Sequence, residues 1–492
     1  MSDTARHAWL SPGFGDVVTA RIADGDLEVE FANGDLVRVP LRTFGITGSD
    51  LQVSVDPEEA LSVRVFGGAG EAREISWTQL RSASDPAFAQ EMRKQDADES
   101  RRLGLRLRAL REDRELSQRD LAKLVGMPAP QLSKIESGAF DLRVSTVQTL
   151  LRTMGATLAD ITGPEALEVS RKELRSRATR AGVPGEVTDR LIAGSPRGLL
   201  MDVLARGFDW TKDQLIAGVP HTQLVPSPVR FRAVRRGELE RSPLVNLAYR
   251  VCLIVGEHAS LATYRGVPSE PAQLRKDALD TDGYVSLASL LAWSWNSGLP
   301  VLPLHGRGAF AASAWTIGEI SSIVLKETRE PAVFWLFDLA HELGHIARGH
   351  LEGGGLVDVE SLQLHPAEAA LDEREANEFA LQLLLPRYDE LLAAVRAETR
   401  DNYLRFKGAV AMVAKRAQVS PGVLGMVAAY EMTDVGQGKD RWGSASNLAR
   451  PEGLGRVIVQ EQARAHLTTA GLSEADAVLI DSVVLSLTEH AE

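Results

Sequence analysis

Residues 338–350 read DLAHELGHIARGH, and the His-Glu-x-x-His motif inside this stretch decides how the surrounding sequence folds. His341 and His345 are four residues apart, so a helix places both imidazoles on the same face. Neutral imidazole nitrogens in that arrangement can hold one Zn²⁺ at roughly 2.0–2.1 Å. Glu342 lies one residue further round the helix, where it can reach a water molecule at the metal and act as a general base. The alternative is an ordinary helix whose two histidines bond to local polar groups.

The ends and the packing of this helix also have signals in the sequence. Pro331 suits the first turn of a helix, where its missing N–H does no harm. Gly344 removes a side chain between the two histidines, and we expect a neighbouring backbone segment to approach closely there. The motif is therefore predicted to lie on a helix that begins near Pro331 and packs tightly at Gly344.

A catalytic zinc site needs a third protein ligand and keeps one position open. The metzincin pattern requires a histidine ten residues after the first one, but Leu351 occupies that position and His350 is one residue early. A carboxylate is the alternative, and Glu373 offers one in the stretch DEREANEFALQLLLP at 372–386. A buried carboxylate needs a partner, and a metal ion is one. Asn377 lies one turn later on the same face, where it could orient a metal-bound histidine from behind.

Other polar residues lie near the motif in the sequence. Glu375 and Glu378 fall on other faces of the predicted helix, and we expect both of them to be solvated. Three residues are candidates for an electrophile that stabilises the transition state: His350, His365 and Tyr388. The alternative for each of the three is a surface polar residue.

The stretches FDLAHELGHIARGH (337–350) and EREANEFALQLLLP (373–386) together resemble the ImmA/IrrE metallopeptidase family. Its pattern is a helical HExGH, then E-x-x-A-N-x-F-A with a Leu-Leu-x-Pro ending. The stretches GLPVLPLHGRGAFAASAW and ISSIVLKETREP are similar to the strands before its active-site helix. The resemblance is strong over residues 290–390 and weak over 230–290. It implies that His341, His345 and Glu373 bind zinc and that Glu342 is the catalytic base. It also implies that an edge strand such as SSIVL (321–325) aligns the substrate backbone by β-augmentation.

A second functional region is predicted at LSQRDLAKLVG (116–126) and LSKIESG (132–138). Ser117 is a natural N-cap for one helix, and Gly126 provides the tight turn that follows it. Leu132 and Ile135 are expected to face inward from the next helix. Two short helices joined through a glycine turn, with a polar outer face on the second, form a typical DNA-binding arrangement.

The charge around this region agrees with nucleic-acid binding. Residues 101–152 contain eleven Arg and Lys against six Asp and Glu, a net charge of +5 in a chain whose total is −12. A local positive face of this kind is typical of phosphate binding. The alternative is a helix-turn-helix kept for protein–protein contact or dimerisation.

The same stretches resemble the Cro/repressor-type (XRE) helix-turn-helix. The resemblance implies that Gln118 lies near a phosphate or a base edge at the start of the second helix. It also implies that the recognition helix presents Ala129, Pro130, Gln131 and Lys134. The side chains of Ala129 and Pro130 cannot form hydrogen bonds with base edges. More of the recognition is therefore expected to depend on DNA shape and phosphate contacts.

The sequence as a whole predicts a multidomain α+β chain. LEVEFANGDLVRVPL (27–41) alternates apolar and polar residues around an Asn-Gly step, which is a strong hairpin signal. The predicted segments are a small β-rich accessory domain at 1–82, a linking helix at 83–102, the helix-turn-helix at 103–162, a helical segment with a Pro-rich linker at 163–229, the peptidase domain at 230–390 and a helical C-terminal region at 391–492.

The amino-acid composition indicates the cellular compartment in which the protein is expected. Cys252 is the sole cysteine in 492 residues, which excludes a disulfide framework and fits a reducing cytosol. The sequence has no signal-peptide core and no apolar run approaching the ~20 residues that span a bilayer, so we expect a cytoplasmic protein without a membrane partner.

These observations lead to two hypotheses about function. In the first, a homodimer binds a double-stranded DNA operator, since repressor-type domains usually read two half-sites. Its zinc endopeptidase domain then cleaves a repressor or another regulatory protein. The peptidase resemblance implies a setting in stress response, mobile-element control or toxin–antitoxin operons. In the second, the protein is a DNA-binding regulator or antitoxin whose peptidase-like domain senses or binds a partner without cleaving it.

Overall fold

Two compact units make up this computed structural model, and together they give the mixed α+β fold that the sequence predicts. The first unit comprises residues 1–107 and 117–155, and the second comprises 108–116 and 156–492. The structure describes residues 14–48, 50–55, 60–67, 72–139, 143–218, 229–232, 242–258, 262–306, 310–326, 329–351, 355–358, 371–400, 402–432 and 441–486. The predicted Pro-rich linker therefore lies outside the described residues except for Val229.

The first unit begins with antiparallel β-structure. The predicted hairpin is confirmed, because the Asn33-Gly34 step joins two paired strands and Gly34 has a φ of +88°. Leu27, Val29 and Phe31 alternate into a core in which each is at most 1% exposed. In the described residues, β1 (Val17–Ala23), β2 (Asp26–Phe31) and β3 (Leu36–Pro40) form one three-stranded sheet, and β4 (Gln52–Val55), β5 (Ser62–Phe66) and β6 (Ala72–Ser76) form another, with a 3₁₀ turn at Leu41–Phe44.

Helices follow the sheets: α1 (Trp77–Ser84), α2 (Pro86–Asp113), α3 (Gln118–Val125), α4 (Ala129–Glu136) and α5 (Val144–Thr153). Helix α2 has 28 residues and runs through residue 102 without a break, so the predicted linking helix and the first helix of the helix-turn-helix are one helix. Near its start, Phe88 packs against Phe14 and Trp77 of the β-domain. Further along, a Cβ on Gly104 would lie 2.5 Å from the Ile135 carbonyl oxygen, so α2 also packs directly on α4.

The second unit contains a mixed sheet with the order β7-β11-β9-β10-β8. In its described residues, the strands are β7 (Val229–Arg232), β8 (Val301–Pro303), β9 (Ala312–Ile317), β10 (Ile320–Leu325) and β11 (Gly355–Asp358). Strand β10 pairs antiparallel with β9 along its length and parallel with β8 over Ile323–Leu325. The expectation that SSIVL is an edge strand is therefore wrong over Ile323–Leu325, because the short strand β8 covers that part.

Helices pack on both faces of this sheet, and the second unit contains further helices beyond them. Those before the motif are α6 (Ala159–Thr162), α7 (Arg171–Arg180), α8 (Gly185–Gly194), α9 (Leu200–Phe208), α10 (Lys212–Ala217), α11 (Pro243–His258), α12 (Pro271–Asp277) and α13 (Leu287–Asn296). From the motif onward they are α14 (Ala332–Ala347), α15 (Leu371–Leu384), α16 (Tyr388–Thr399), α17 (Phe406–Ala417), α18 (Pro421–Glu431), α19 (Trp442–Ala449), α20 (Gly455–His466) and α21 (Glu474–Ile480). Short 3₁₀ helices lie at Arg197–Leu199, Tyr403–Arg405 and Arg450–Glu452, and a π-helix spans Asp481–Leu485.

Two hydrophobic cores fill the spaces between the sheet and the helices. Ile323 and Leu325 contribute to the core that contains the motif helix α14, whereas Val324 points into the core that contains α11. The core around α14 also includes Phe406 and Val427 from the predicted C-terminal region. Part of that region is therefore packed into the same body as the motif, and the predicted division of the chain at residue 390 stays a prediction.

Each helix in the described residues is either too short or too polar to cross a membrane.

His305 lies in the second unit and is only 3% exposed. Arg456 donates a hydrogen bond to its Nδ1 at 2.8 Å, and its Nε2 lies 3.2 Å from the Ser486 carbonyl oxygen. Burial, with the charges of Arg190 and Arg456, lowers the pKa of His305 to about 4. This imidazole is therefore neutral in the folded protein at every pH above that value.

This buried histidine predicts a loss of stability in mild acid. Below its ordinary pKa of 6.5, His305 takes up a proton in the unfolded chain but not in the folded protein. The free energy of unfolding that is present above pH 6.5 therefore falls as the pH drops toward 4, by about 2 kcal/mol at pH 5. Thermal unfolding at pH 7 and pH 5 checks this. We expect the midpoint of the wild type to fall more than that of His305→Gln, and equal shifts would contradict the prediction.

Candidate functional site

Helix α14 carries the His-Glu-x-x-His motif through the interior of the second unit. Pro331 is its N-cap residue, as the sequence predicts. The helix is apolar on nearly all sides, which is typical of a helix buried in a large core. His341 is 6% exposed, while Glu342 and His345 are completely buried. Such polar groups are costly to bury unless they interact with other polar groups or a metal, so their surroundings indicate what they do.

His341, His345 and Glu373 of α15 form a compact group of donor atoms, called here the donor triangle. The Nε2 atoms of the two histidines lie 3.0 Å apart. Each is also 3.3 Å from an oxygen of Glu373. Two ligands of a tetrahedral zinc ion, each about 2.0–2.1 Å from the metal, lie about 3.3 Å apart. The three distances therefore fit a zinc ion.

The charge state of Glu373 agrees with a ligand role. Burial alone would raise the pKa of this carboxyl group. Hydrogen bonds and charges from His341 and His345 outweigh that effect and hold the pKa below its usual range. Glu373 is therefore ionised, which is the form that binds a metal.

The other ring nitrogens of both histidines have protein partners. His341 Nδ1 lies 2.9 Å from the amide oxygen of Asn377, the residue that the sequence predicts behind a metal-bound histidine. His345 Nδ1 lies 2.9 Å from Nδ1 of His350. His350 Nε2 in turn lies 3.0 Å from a carboxylate oxygen of Glu375.

These contacts bear on two expectations from the sequence. The side chain of Glu375 is 42% exposed, which agrees with the expected solvation, and it also bonds to His350. Both nitrogens of His350 have protein partners, which argues against its role as a substrate-facing electrophile. The sequence feature that could have indicated the contact between His350 and His345 was Gly349. Its φ of +73° turns the chain back at the end of α14.

The other two electrophile candidates have less structural support. Tyr388 begins α16 and is partly buried against the core, and burial raises the pKa of its hydroxyl group. His365 lies outside the described residues. An electrophile at either position stays a prediction.

Gly344 is a point of close packing between α14 and α15. A Cβ at this position would lie 2.9 Å from the Ala376 carbonyl oxygen and 3.0 Å from its Cα. This confirms the close backbone approach predicted at Gly344. The contact sets the spacing between the helix with the two histidines and the helix with Glu373.

Replacement of Gly344 by alanine is expected to disturb the donor triangle. Alanine favours a helix, but its methyl group would push against the α15 backbone, with a net destabilisation of about 1–3 kcal/mol. Gly408→Ala is the matched control, because a Cβ at that helical glycine meets nothing within 4 Å. Thermal unfolding and zinc titration measure the effect. If both variants unfold and bind zinc alike, the tight contact at Gly344 does not matter.

The helix-turn-helix has the local structure that its sequence predicts. The Ser117 side chain accepts a hydrogen bond from the Asp120 N–H at 3.1 Å and caps α3. Gly126 ends that helix in the left-handed conformation. Leu132 and Ile135 of α4 are at most 1% exposed, so they face the core. The opposite face of α4 is thereby directed outward.

The predicted DNA contacts differ in how available they are. Pro130 and Lys134 are exposed, and Ala129 and Gln131 are partly exposed. Gln118 donates a hydrogen bond to Glu136 at 3.0 Å, so its amide already has a partner inside the first unit.

Ser133 of α4 and Ser137, the C-cap residue of that helix, are also exposed and were not among the predicted DNA contacts. Hydroxyl groups of this kind can contact phosphates or base edges. The sequence could have indicated both serines, because they follow Pro130 by three and seven residues, a spacing that places residues on one helical face.

Known proteins match both regions. A family model described as a helix-turn-helix domain matches residues 102–162, and one described as an IrrE N-terminal-like domain matches residues 318–427. Antitoxin HigA1 of Mycobacterium tuberculosis, in strains CDC 1551 and H37Rv, is 32% identical over 114 residues. That alignment covers 21% of this chain and 75% of the antitoxin. No solved structure gives a significant match.

The two regions define a DNA-binding regulator that also carries a peptidase-family domain. The chain belongs to the XRE-type helix-turn-helix family, and an IrrE N-terminal-like domain is fused to that module. Both family resemblances predicted from the sequence are thus confirmed.

Proposed function

We propose that this regulator is a zinc-dependent endopeptidase that controls gene expression by cleaving a repressor or another regulatory protein. The observation that carries the proposal is the donor triangle next to the buried carboxylate of Glu342, on a chain that also holds a DNA-binding module. A purely structural metal site has no need of a base beside it.

His341, His345 and Glu373 would hold the zinc ion and leave a fourth position open. Support comes from the three donor distances of 3.0, 3.3 and 3.3 Å. Zn²⁺, when bound, would supply Lewis-acid polarisation and lower the pKa of water. The chain's own histidines and Glu373 are already oriented toward a common point.

Glu342 would act as the general base. It follows His341 directly on α14 and is completely buried, so its carboxylate works in a water-poor environment. It would accept a proton from the attacking water molecule and then donate it to the leaving amide nitrogen.

The helix-turn-helix would bring this activity to an operator. Lys134 and the exposed end of α4 at Ala129, Pro130 and Gln131 would lie toward the major groove, with Gln118 near the backbone. A homodimer would present two such helices to two half-sites. The net charge of +5 over residues 101–152 supports phosphate binding.

The second candidate function is a regulator or antitoxin whose peptidase-like domain binds a partner without cleaving it. The similarity to an antitoxin favours this candidate. It needs the metal site and the DNA-binding module but not the proton transfer at Glu342.

Cells that carry the wild type or Glu342→Gln can separate the two candidates. Newly formed protein N-termini are mapped by mass spectrometry, and operator occupancy is measured by footprinting. We expect a new N-terminus inside a regulatory protein with the wild type alone, and equal occupancy with both. Identical N-termini and identical regulation in both strains would overturn the endopeptidase and favour the second candidate.

A further inference from the structure

His350 lies behind His345, on the side of the ring away from the donor triangle. The Nδ1 atoms of the two rings are 2.9 Å apart, and His350 Nε2 is 3.0 Å from Glu375 Oε2. We propose that His350 and Glu375 are positioning residues that hold His345 in the tautomer offering Nε2 to the metal. The inference rests on the proposed zinc site.

The direction of the hydrogen bonds follows from the carboxylate of Glu375. A carboxylate oxygen accepts hydrogen bonds, so a neutral His350 ring that bonds to Glu375 carries its proton on Nε2 and donates it. Its Nδ1 is then an acceptor and receives the Nδ1 proton of His345. His345 Nε2, the atom that faces His341 and Glu373, then keeps its lone pair.

The opposite arrangement of protons is disfavoured by the same geometry. If His345 carried its proton on Nε2, its Nδ1 would accept the Nδ1 proton of His350. The unprotonated Nε2 of His350 would then point a lone pair at a carboxylate oxygen 3.0 Å away. Two acceptors at that distance repel each other. When a metal ion lies between His345 Nε2 and Glu373, Glu375 therefore favours the metal-binding tautomer of a histidine that it does not touch.

His350 is also fixed by its own backbone. Its N–H donates to the His345 carbonyl oxygen at 3.0 Å, and Gly349 provides the left-handed residue that allows this turn. His350 is 9% exposed, and the Glu375 side chain is 42% exposed. The connected side chains of His345, His350 and Glu375, called here the relay, thus run from the completely buried His345 to the protein surface.

Helix α15 contributes to the anchoring of both metal-binding histidines. Glu373 completes the donor triangle, Glu375 holds His345 through His350, and Asn377 holds His341 directly. Besides Glu373, α15 reaches His341 directly through Asn377 and reaches His345 through Glu375 and His350. Loss of the longer connection should affect His345 more than His341.

Zinc titration of the full chain against a chromophoric chelator tests the relay. His350→Phe keeps an aromatic ring but removes both hydrogen bonds, and we expect zinc affinity to fall about 10–100-fold. His350→Asn should recover most of this loss, because its amide oxygen can accept the His345 proton. Glu375→Ala should weaken binding, whereas Glu378→Gln, on an exposed position of the same helix, should match the wild type.

Two further readouts separate orientation from folding. The visible spectrum of the Co²⁺-loaded chain should change in His350→Phe and return toward the wild type in His350→Asn. Thermal unfolding of the metal-free proteins shows whether the phenylalanine disturbs the fold. If it does, His350→Asn and Glu375→Ala decide the question.

The possible results have distinct meanings. If the wild type binds zinc and both His350→Phe and Glu375→Ala bind it equally well, the relay is overturned and the zinc site stands. Equal losses in His350→Phe and His350→Asn would also overturn it, because hydrogen bonding would then not matter. If the wild type binds no zinc, the relay and the proposed peptidase fail together.

Discussion

Glu342→Gln is expected to lower the rate of substrate cleavage about 10²–10⁴-fold while zinc stays bound. Glutamine has nearly the shape of glutamate, but it cannot accept the proton of an attacking water molecule. Glu342 lies outside the donor triangle, so its charge is not needed to hold the metal. The expected result is an intact zinc protein that binds DNA and does not cleave.

The measurement compares the cleavage rate of the identified substrate, the zinc content and operator binding in one set of purified proteins. Glu378→Gln is the matched control, because it makes the same chemical change at an exposed position on α15. Cleavage at the wild-type rate by Glu342→Gln would exclude Glu342 as the base. A loss of zinc in this variant would show that the carboxylate belongs to the metal site.

Glu373→Ala is expected to have the largest effect on metal binding. It removes one of three ligands, including the negative charge that offsets the metal's charge, and leaves two neutral imidazoles. We expect zinc affinity to fall by more than the ~10–100-fold that loss of an outer-shell partner typically costs. Elemental analysis after gel filtration should find zinc in the wild type and almost none in the variant.

Glu378→Ala controls for the loss of a carboxylate from α15. It should retain zinc at the wild-type level, because Glu378 points to solvent and bonds to Gln382 on its own helix. Full zinc content in Glu373→Ala would remove this residue from the ligand set. The third donor would then have to come from another residue.

The parts of the site that could be predicted from sequence are those governed by local spacing. His341 and His345 share a helical face because of the 3.6-residue repeat, and the same repeat places Asn377 one turn after Glu373. Local signals also explain the confirmed helix start at Ser117. In each case the residues that determine the structure are within a few positions of each other.

Features that depend on distant pairing could not be predicted. Strand β8 has only three residues, yet its contact with β10 changes which strand lies at the edge of the sheet. Strands β7 and β11 have four residues each and pair across more than 120 positions of sequence. The bond between His350 and Glu375 likewise depends on where α15 docks, which no single segment specifies.

Helix α2 has a mechanical consequence for the first unit. Its Phe88 end is seated among the aromatic rings of the β-domain, and its Gly104 end lies against α4. The two contacts are about 24 Å apart along one unbroken helix. Because the helix is unbroken between these contacts, the β-sheets and α4 are held at a fixed separation on one rigid rod.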